Sequence, residues 1–146
     1  MKNKFEDPIQ NPENMEWNEK VKLIISDVDE TIADLYTEAT PEMIAELEKI
    51  LSENKVLFLI SGQSVKSMQW RIVDHIKKDL RKRIIIGHCS GAEVWGFGED
   101  GNLRDSPFYS LYETALSETQ KQSWRDVIKE LVEEFKLKVI KIVFKL

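Results

Sequence analysis

Val21-Lys22-Leu23-Ile24-Ile25-Ser26 runs directly into Asp27-Val28-Asp29-Glu30-Thr31. The first six residues are short, apolar and rich in β-branched side chains. They read as a buried strand of the kind found inside a parallel sheet. The next five place two carboxylates two residues apart, where that strand ends. In open α/β sheets, ligands bind in the crevice beyond the carboxyl ends of the strands. Two close carboxylates repel each other, which favours a cation beside them, and carboxylate oxygens suit a hard ion such as magnesium. One acid can attack as a nucleophile while the other moves a proton. The competing reading is a solvated acidic loop that caps the sheet.

The pattern on the carboxyl-terminal side supports a sheet. Thr40-Pro41 opens a helix, with Thr40 as N-cap and Pro41 in the first position. Ile44, Leu47 and Leu51 recur at helical spacing, and Asn54 is a stop. Val56-Leu57-Phe58-Leu59-Ile60 is a second buried strand ending at Ser61-Gly62. Ser64 caps a second helix, whose apolar face holds Val65, Met68, Ile72, Ile76 and Leu80. Ile84-Ile85-Ile86 is a third strand. Strand and helix alternate over the first 90 residues, which predicts an α/β fold with a parallel sheet.

Beyond residue 90 the pattern changes. Ala92 to Phe97 reads as a strand, and Glu99-Asp100-Gly101-Asn102 as a hairpin turn. Residues 103–116 read as irregular. Ser117 caps a helix whose face holds Trp124, Ile128, Leu131 and Phe135. Val139 to Leu146 alternates as a strand with one wet face. The expected division is a polar lead-in over 1–19, a core over 20–105, and a second module starting at 106–146.

Composition narrows the function classes. The chain has 146 residues, 42% of them hydrophobic, enough for the core of one ordinary domain. The net charge of -5 carries no basic footprint, so no nucleic-acid partner is expected. No run approaches the roughly 18 apolar residues of a membrane helix, so no membrane partner is expected either. The single cysteine, Cys89, cannot form an internal disulfide, and residues 1–18 lack the apolar centre of a signal peptide. Cytoplasmic is therefore the default expectation.

Asp27-Val28-Asp29-Glu30-Thr31 resembles the first signature of the haloacid dehalogenase-like superfamily, Asp-x-Asp-x-Thr after an apolar strand. Leu57-Phe58-Leu59-Ile60-Ser61-Gly62 is similar to the second, an apolar strand ending in Ser or Thr. Ser90-Gly91-Ala92-Glu93-Val94 and the turn at Asp100-Gly101 look like the core hairpin of members with a large α/β cap, such as sugar-phosphate phosphatases and phosphomannomutase-like enzymes. The resemblance implies a Rossmann-like core and the start of a cap. It implies a magnesium-dependent phosphomonoester hydrolase acting on a small phosphorylated metabolite. Asp27 would be the nucleophile and Asp29 the general acid/base. Both would hold the metal, Asp29 through its backbone carbonyl. Thr31, Ser61 and Gly62 would serve the phosphoryl group, with Thr31 steadying the loop.

Two further signatures of that family, a lysine and an acidic pair on a later strand, would follow the cap. The resemblance therefore covers an N-terminal portion, and the alternative expectation is a binding or regulatory module without turnover. Gly98-Glu99-Asp100 with Asp105 superficially resembles the acidic pair, and Lys66 the lysine, but an ordinary turn explains the same letters. Gln63 stands where capped relatives often have arginine. A partial core with an open sheet edge is expected to self-associate or to be poorly soluble. A receiver-type phospho-acceptor is disfavoured, because the strand ends at Ser61 and Gly87 carry no Asp. The basic run Lys77-Lys78 and Arg81-Lys82-Arg83 reads as a solvated helix end. His88 and Cys89 read as ordinary strand-end residues.

Overall fold

The structure is a computed structural model, and it describes residues 19–137. Five strands form one sheet in sequential order: β1 (Leu23–Asp27), β2 (Val56–Ile60), β3 (Ile84–His88), β4 (Glu93–Gly96) and β5 (Tyr109–Ser110). The first three are parallel, and β4 and β5 run antiparallel to their neighbours. Helix α1 (Pro41–Ser52) joins β1 to β2, and α2 (Val65–Arg71) begins the crossover from β2 to β3. The fold is the expected α/β class.

Register explains which side is packed. Ile24 pairs with Leu57 and Leu57 with Ile84, so these side chains share one face. Leu57, Leu59, Ile84 and Ile86 on that face are buried against Ile44, Leu47 and Leu51 of α1 and Met68 of α2. Thr40 caps α1 by accepting from the Met43 N–H at 3.3 Å, and Ser64 caps α2 from Ser67 at 3.2 Å. Such caps satisfy donors that the first turn leaves open.

Three local expectations are corrected. The strand at 21–26 is not buried on both faces. It is β1, and among the described residues it sits at the end of the strand order, with Leu23 47% and Ile25 59% exposed. An apolar run looks the same whether its strand is central or at an edge.

The second helix does not continue to Leu80. It stops at Arg71, because Ile72 leaves the helical region (φ -133, ψ -60). Ile72, Val73 and Ile76 are still buried, now from a 3-10 turn and loop. The apolar spacing survived while the backbone changed.

Residues 103–116 are not wholly irregular. They hold β5 and the short helix α3 (Leu111–Ala115), which Ser110 caps. Phe97 bridges Leu103 around the expected turn, closed by Gly98 N–H to the Asn102 carbonyl at 2.8 Å. Helix α4 (Glu118–Glu134) starts with the reciprocal capping box of Ser117 and Gln120. Its apolar face is open: Trp124 is 60%, Ile128 58% and Phe135 63% exposed. The alternating segment Val139–Leu146 and residues 1–18 lie outside the described residues. No helix among the described residues is long and apolar enough to cross a membrane.

Candidate active site at the carboxyl rim of β1 and β2

Asp27 closes β1, opposite Ile60 at the end of β2. It lies in the same pleat as Leu23 and Ile25 and is exposed. The chain then turns tightly. The Val28 carbonyl accepts from Thr31 at 3.3 Å, Ile32 at 2.9 Å and Ala33 at 3.1 Å. Val28 is fully buried and anchors the turn, and Glu30 adopts a positive φ of 60. Thr31 is exposed on this turn, and its backbone N–H bonds the Val28 carbonyl.

Asp29 is held very differently. Ser61 Oγ donates to Oδ2 at 3.2 Å. Gln63 Nε2 donates to Oδ1 at 2.9 Å and to Oδ2 at 3.1 Å. Arg71 Nη1 donates to Oδ1 at 2.8 Å in a salt bridge. Ser67 Oγ bonds Gln63 Oε1 and fixes which way that amide faces. Charge-assisted bonds of this kind are the strong ones, and together they fix the plane of the carboxylate.

Arg71 is the residue that sequence reasoning missed. Its side chain is completely buried. Nε donates to the Thr37 carbonyl at 2.6 Å, and Nη2 to the Asp34 carbonyl at 2.8 Å. The Arg71 carbonyl accepts from Ala39 N–H at 2.9 Å. One guanidinium therefore ties Asp29, the loop after it and the end of α2 into a unit. A signal was present: Arg71 lies three residues after Met68, on the face that packs inward. Gln63 was read as a departure from the family pattern, and it proves to be an Asp29 partner.

The structure thus brings Asp29 and Ser61 together and places Asp27 and Gly62 at the same rim. No atom crowds Gly62 within 4 Å of where a Cβ would stand. Ser61 is buried, its N–H bonded to the Gly87 carbonyl at 3.1 Å, and its Oγ accepts from Gln63 N–H at 3.1 Å. Asp100 and Glu99 do not join the site. Asp100 closes its own turn on Asn102, and Glu99 pairs with Lys82. The basic run is partnered on the surface, Lys77 by Glu48 and Arg81 by Asp74.

Among the described residues, no three His, Cys, Asp or Glu side chains cluster as a metal site. The residues present fit part of a magnesium shell. Asp27 offers an exposed carboxylate, whereas the Asp29 side chain is already engaged, which leaves its backbone carbonyl as the expected donor. Magnesium keeps water and substrate oxygens for the rest.

No protein-family model matches the chain, and neither does any curated protein. Solved structures do. ATP-bound IMP-nucleotidase of Plasmodium falciparum aligns over 80% of this chain and 32% of its own, at 14% identity and a TM-score of 0.51. BT1666 of Bacteroides thetaiotaomicron, a phosphatase of the haloalkanoate (HAD) superfamily, aligns over 81% of this chain and 37% of its own, at 19% identity and a TM-score of 0.48. The chain spans about a third of the length of these structures. The described part of the chain has an α/β, Rossmann-like fold similar to that of the Plasmodium falciparum IMP-nucleotidase.

Proposed function

We propose that this chain carries the nucleophile half of a magnesium-dependent phosphomonoester hydrolase acting on a small phosphorylated metabolite. The observation that carries this reading is the rim itself. An exposed carboxylate, Asp27, stands two residues from a carboxylate fixed by Ser61, Gln63 and Arg71. A solvated acidic loop needs no buried arginine.

In the proposed reaction Asp29 enters protonated, an Asp27 oxygen attacks phosphorus, and the ester oxygen leaves with the Asp29 proton. Water then attacks the aspartyl-phosphate, gives its proton to Asp29 and releases phosphate. Asp27 and the Asp29 carbonyl would hold the magnesium ion, which would offset charge on the phosphoryl oxygens. The rim amides around Gly62 would face those oxygens. Arg71 would act as a positioning residue through Asp29.

Asp27→Asn is expected to abolish magnesium-dependent phosphate release from para-nitrophenyl phosphate, with the circular-dichroism spectrum unchanged. Equal turnover in the variant would remove Asp27 from its assigned role. One observation favours a second reading, a phosphate-binding module without turnover: both Asp29 oxygens are already engaged. Saturable binding of inorganic phosphate, lost in Ser61→Ala and without hydrolysis of any phosphoester, would select that reading.

A further inference from the structure

Three other side chains meet where β3 turns into β4. Cys89 Sγ lies 3.1 Å from His88 Nδ1. The second ring nitrogen, Nε2, lies 2.7 Å from Glu93 Oε2. His88 and Glu93 are direct partners across the antiparallel ladder, so the sheet itself sets this pair. Glu93 also accepts from Ser110 Oγ at 2.6 Å and from Trp95 Nε1 at 3.2 Å. Burial alone would raise the Glu93 carboxyl, but the bonds from Ser110, His88 and Trp95 outweigh it and hold it below its ordinary value.

Those facts assign the hydrogens. An ionised Glu93 only accepts, so His88 Nε2 carries the hydrogen between them. With Nε2–H on Glu93, the neutral form of the ring has its lone pair on Nδ1, facing the Cys89 sulfur. Nucleophile, base and orienting acid stand in series, as activation of a thiol requires. Cys89 is exposed, so a small reagent can reach it. The turn that presents it has positive φ at Cys89 (49), Ser90 (58) and Gly91 (86). Two non-glycine residues in that region are uncommon.

We propose that Cys89 is a covalent modification site for small disulfides, with His88 as the base that takes its proton and Glu93 as the residue that orients His88. As the S–H proton passes to Nδ1, the sulfur attacks one sulfur of the disulfide. A new S–S bond forms at Cys89 and the old one breaks. The departing thiolate takes the proton from His88 and leaves as a thiol. The disulfide is the oxidant, so no other reagent is required. Ser90 N–H bonds the Ser61 carbonyl at 3.0 Å, which seats the adduct beside the phosphate-binding loop proposed above. The inference does not depend on phosphoryl chemistry, and its test needs no turnover.

The probe is glutathione disulfide at pH 7, read by intact mass. One cysteine in the chain makes the adduct unambiguous. The reference is a peptide of residues 84–92, which keeps His88 beside Cys89 but lacks Glu93 and the sheet. The folded chain is expected to react about fivefold faster than the peptide. His88→Gln is expected to fall to the peptide rate, and Cys89→Ser to give no adduct. In Glu93→Gln the His88 ring is expected to lose its single Nε2–H tautomer, seen by nitrogen NMR, together with the rate gain. A folded chain no faster than the peptide overturns the proposal, as does a folded His88→Gln variant at the native rate. If His88→Gln does not fold, the native chain against the peptide decides alone.

Discussion

Two loops leave the sheet at the same rim and handle their acids in opposite ways. At the end of β1, Asp29 is matched by a cation from far along the chain, Arg71, buried at the end of α2. At the end of β3, Glu93 is matched by groups mostly close in sequence, His88 and Trp95, with Ser110 beside them. The first arrangement joins α2 and the loop over residues 34–39 to the β1 exit, so it bears on the fold as well as the site. The second bears mainly on one ring and one thiol. A long-range ion pair with a buried arginine fixes geometry, and a local array tunes reactivity.

The sharpest way to break that contrast is Arg71→Ala. Removing the buried Arg71 leaves the partly exposed Asp29 without its cation, and takes one donor from each of the Thr37 and Asp34 carbonyls. The expected loss is about 3 kcal/mol, read from urea unfolding. Arg71→Lys should recover only part, because an ammonium cannot span Asp29 and two carbonyls at once. A loss under about 1 kcal/mol would put the two loops on the same footing.

Glu93→Gln tests the other loop and should cost less, about 1 kcal/mol at pH 7. Its pH dependence has a definite sign. The Glu93 carboxyl is held below its ordinary value of 4.5 in the fold. Its contribution is therefore complete above pH 4.5 and fades as pH falls through the lower folded value. The gap in urea midpoint between native chain and variant should close in acid. A gap that persists unchanged at pH 3 would mean the bonds matter through shape rather than charge.

The smallest effect belongs outside both loops. Ile128→Ser, on the open face of α4, should change stability by less than about 0.5 kcal/mol, because the side chain is already exposed. It should reduce any concentration-dependent association seen by sedimentation. A loss of 2 kcal/mol or more would show that this face is packed in solution.

Much of this was legible in the sequence, and the failures share a cause. Asp27, Asp29 and Ser61 could be placed at the strand ends because strand and motif are local patterns. The caps at Thr40, Ser64 and Ser117 were found because one side chain meets a backbone three residues away. The exposure of Leu23 and Ile25 was missed because an apolar run reads the same whether or not its outer face is covered. The early end of α2 was missed because Ile72 and Ile76 stay buried after the helix stops. Arg71 was missed because its three partners lie 34 to 42 residues away. Helices α1 and α4 have comparable apolar stripes, yet only α1 is covered. Periodicity names the face that seeks burial and is silent on whether anything meets it.

The place of β1 in the strand order has one more consequence. Among the described residues it is laddered to β2 alone, so its amides fall into two classes. Those aimed at β2 are shielded from deuterium, and those aimed outward exchange as freely as a loop. The strand that carries Asp27 is therefore clamped from one side, like a plank nailed along a single edge. Deuterium uptake that alternates residue by residue from Leu23 to Asp27 would be the signature of that asymmetry. Uptake that slows on the outer amides would report, without any assay of chemistry, that a second edge has closed against the proposed nucleophile.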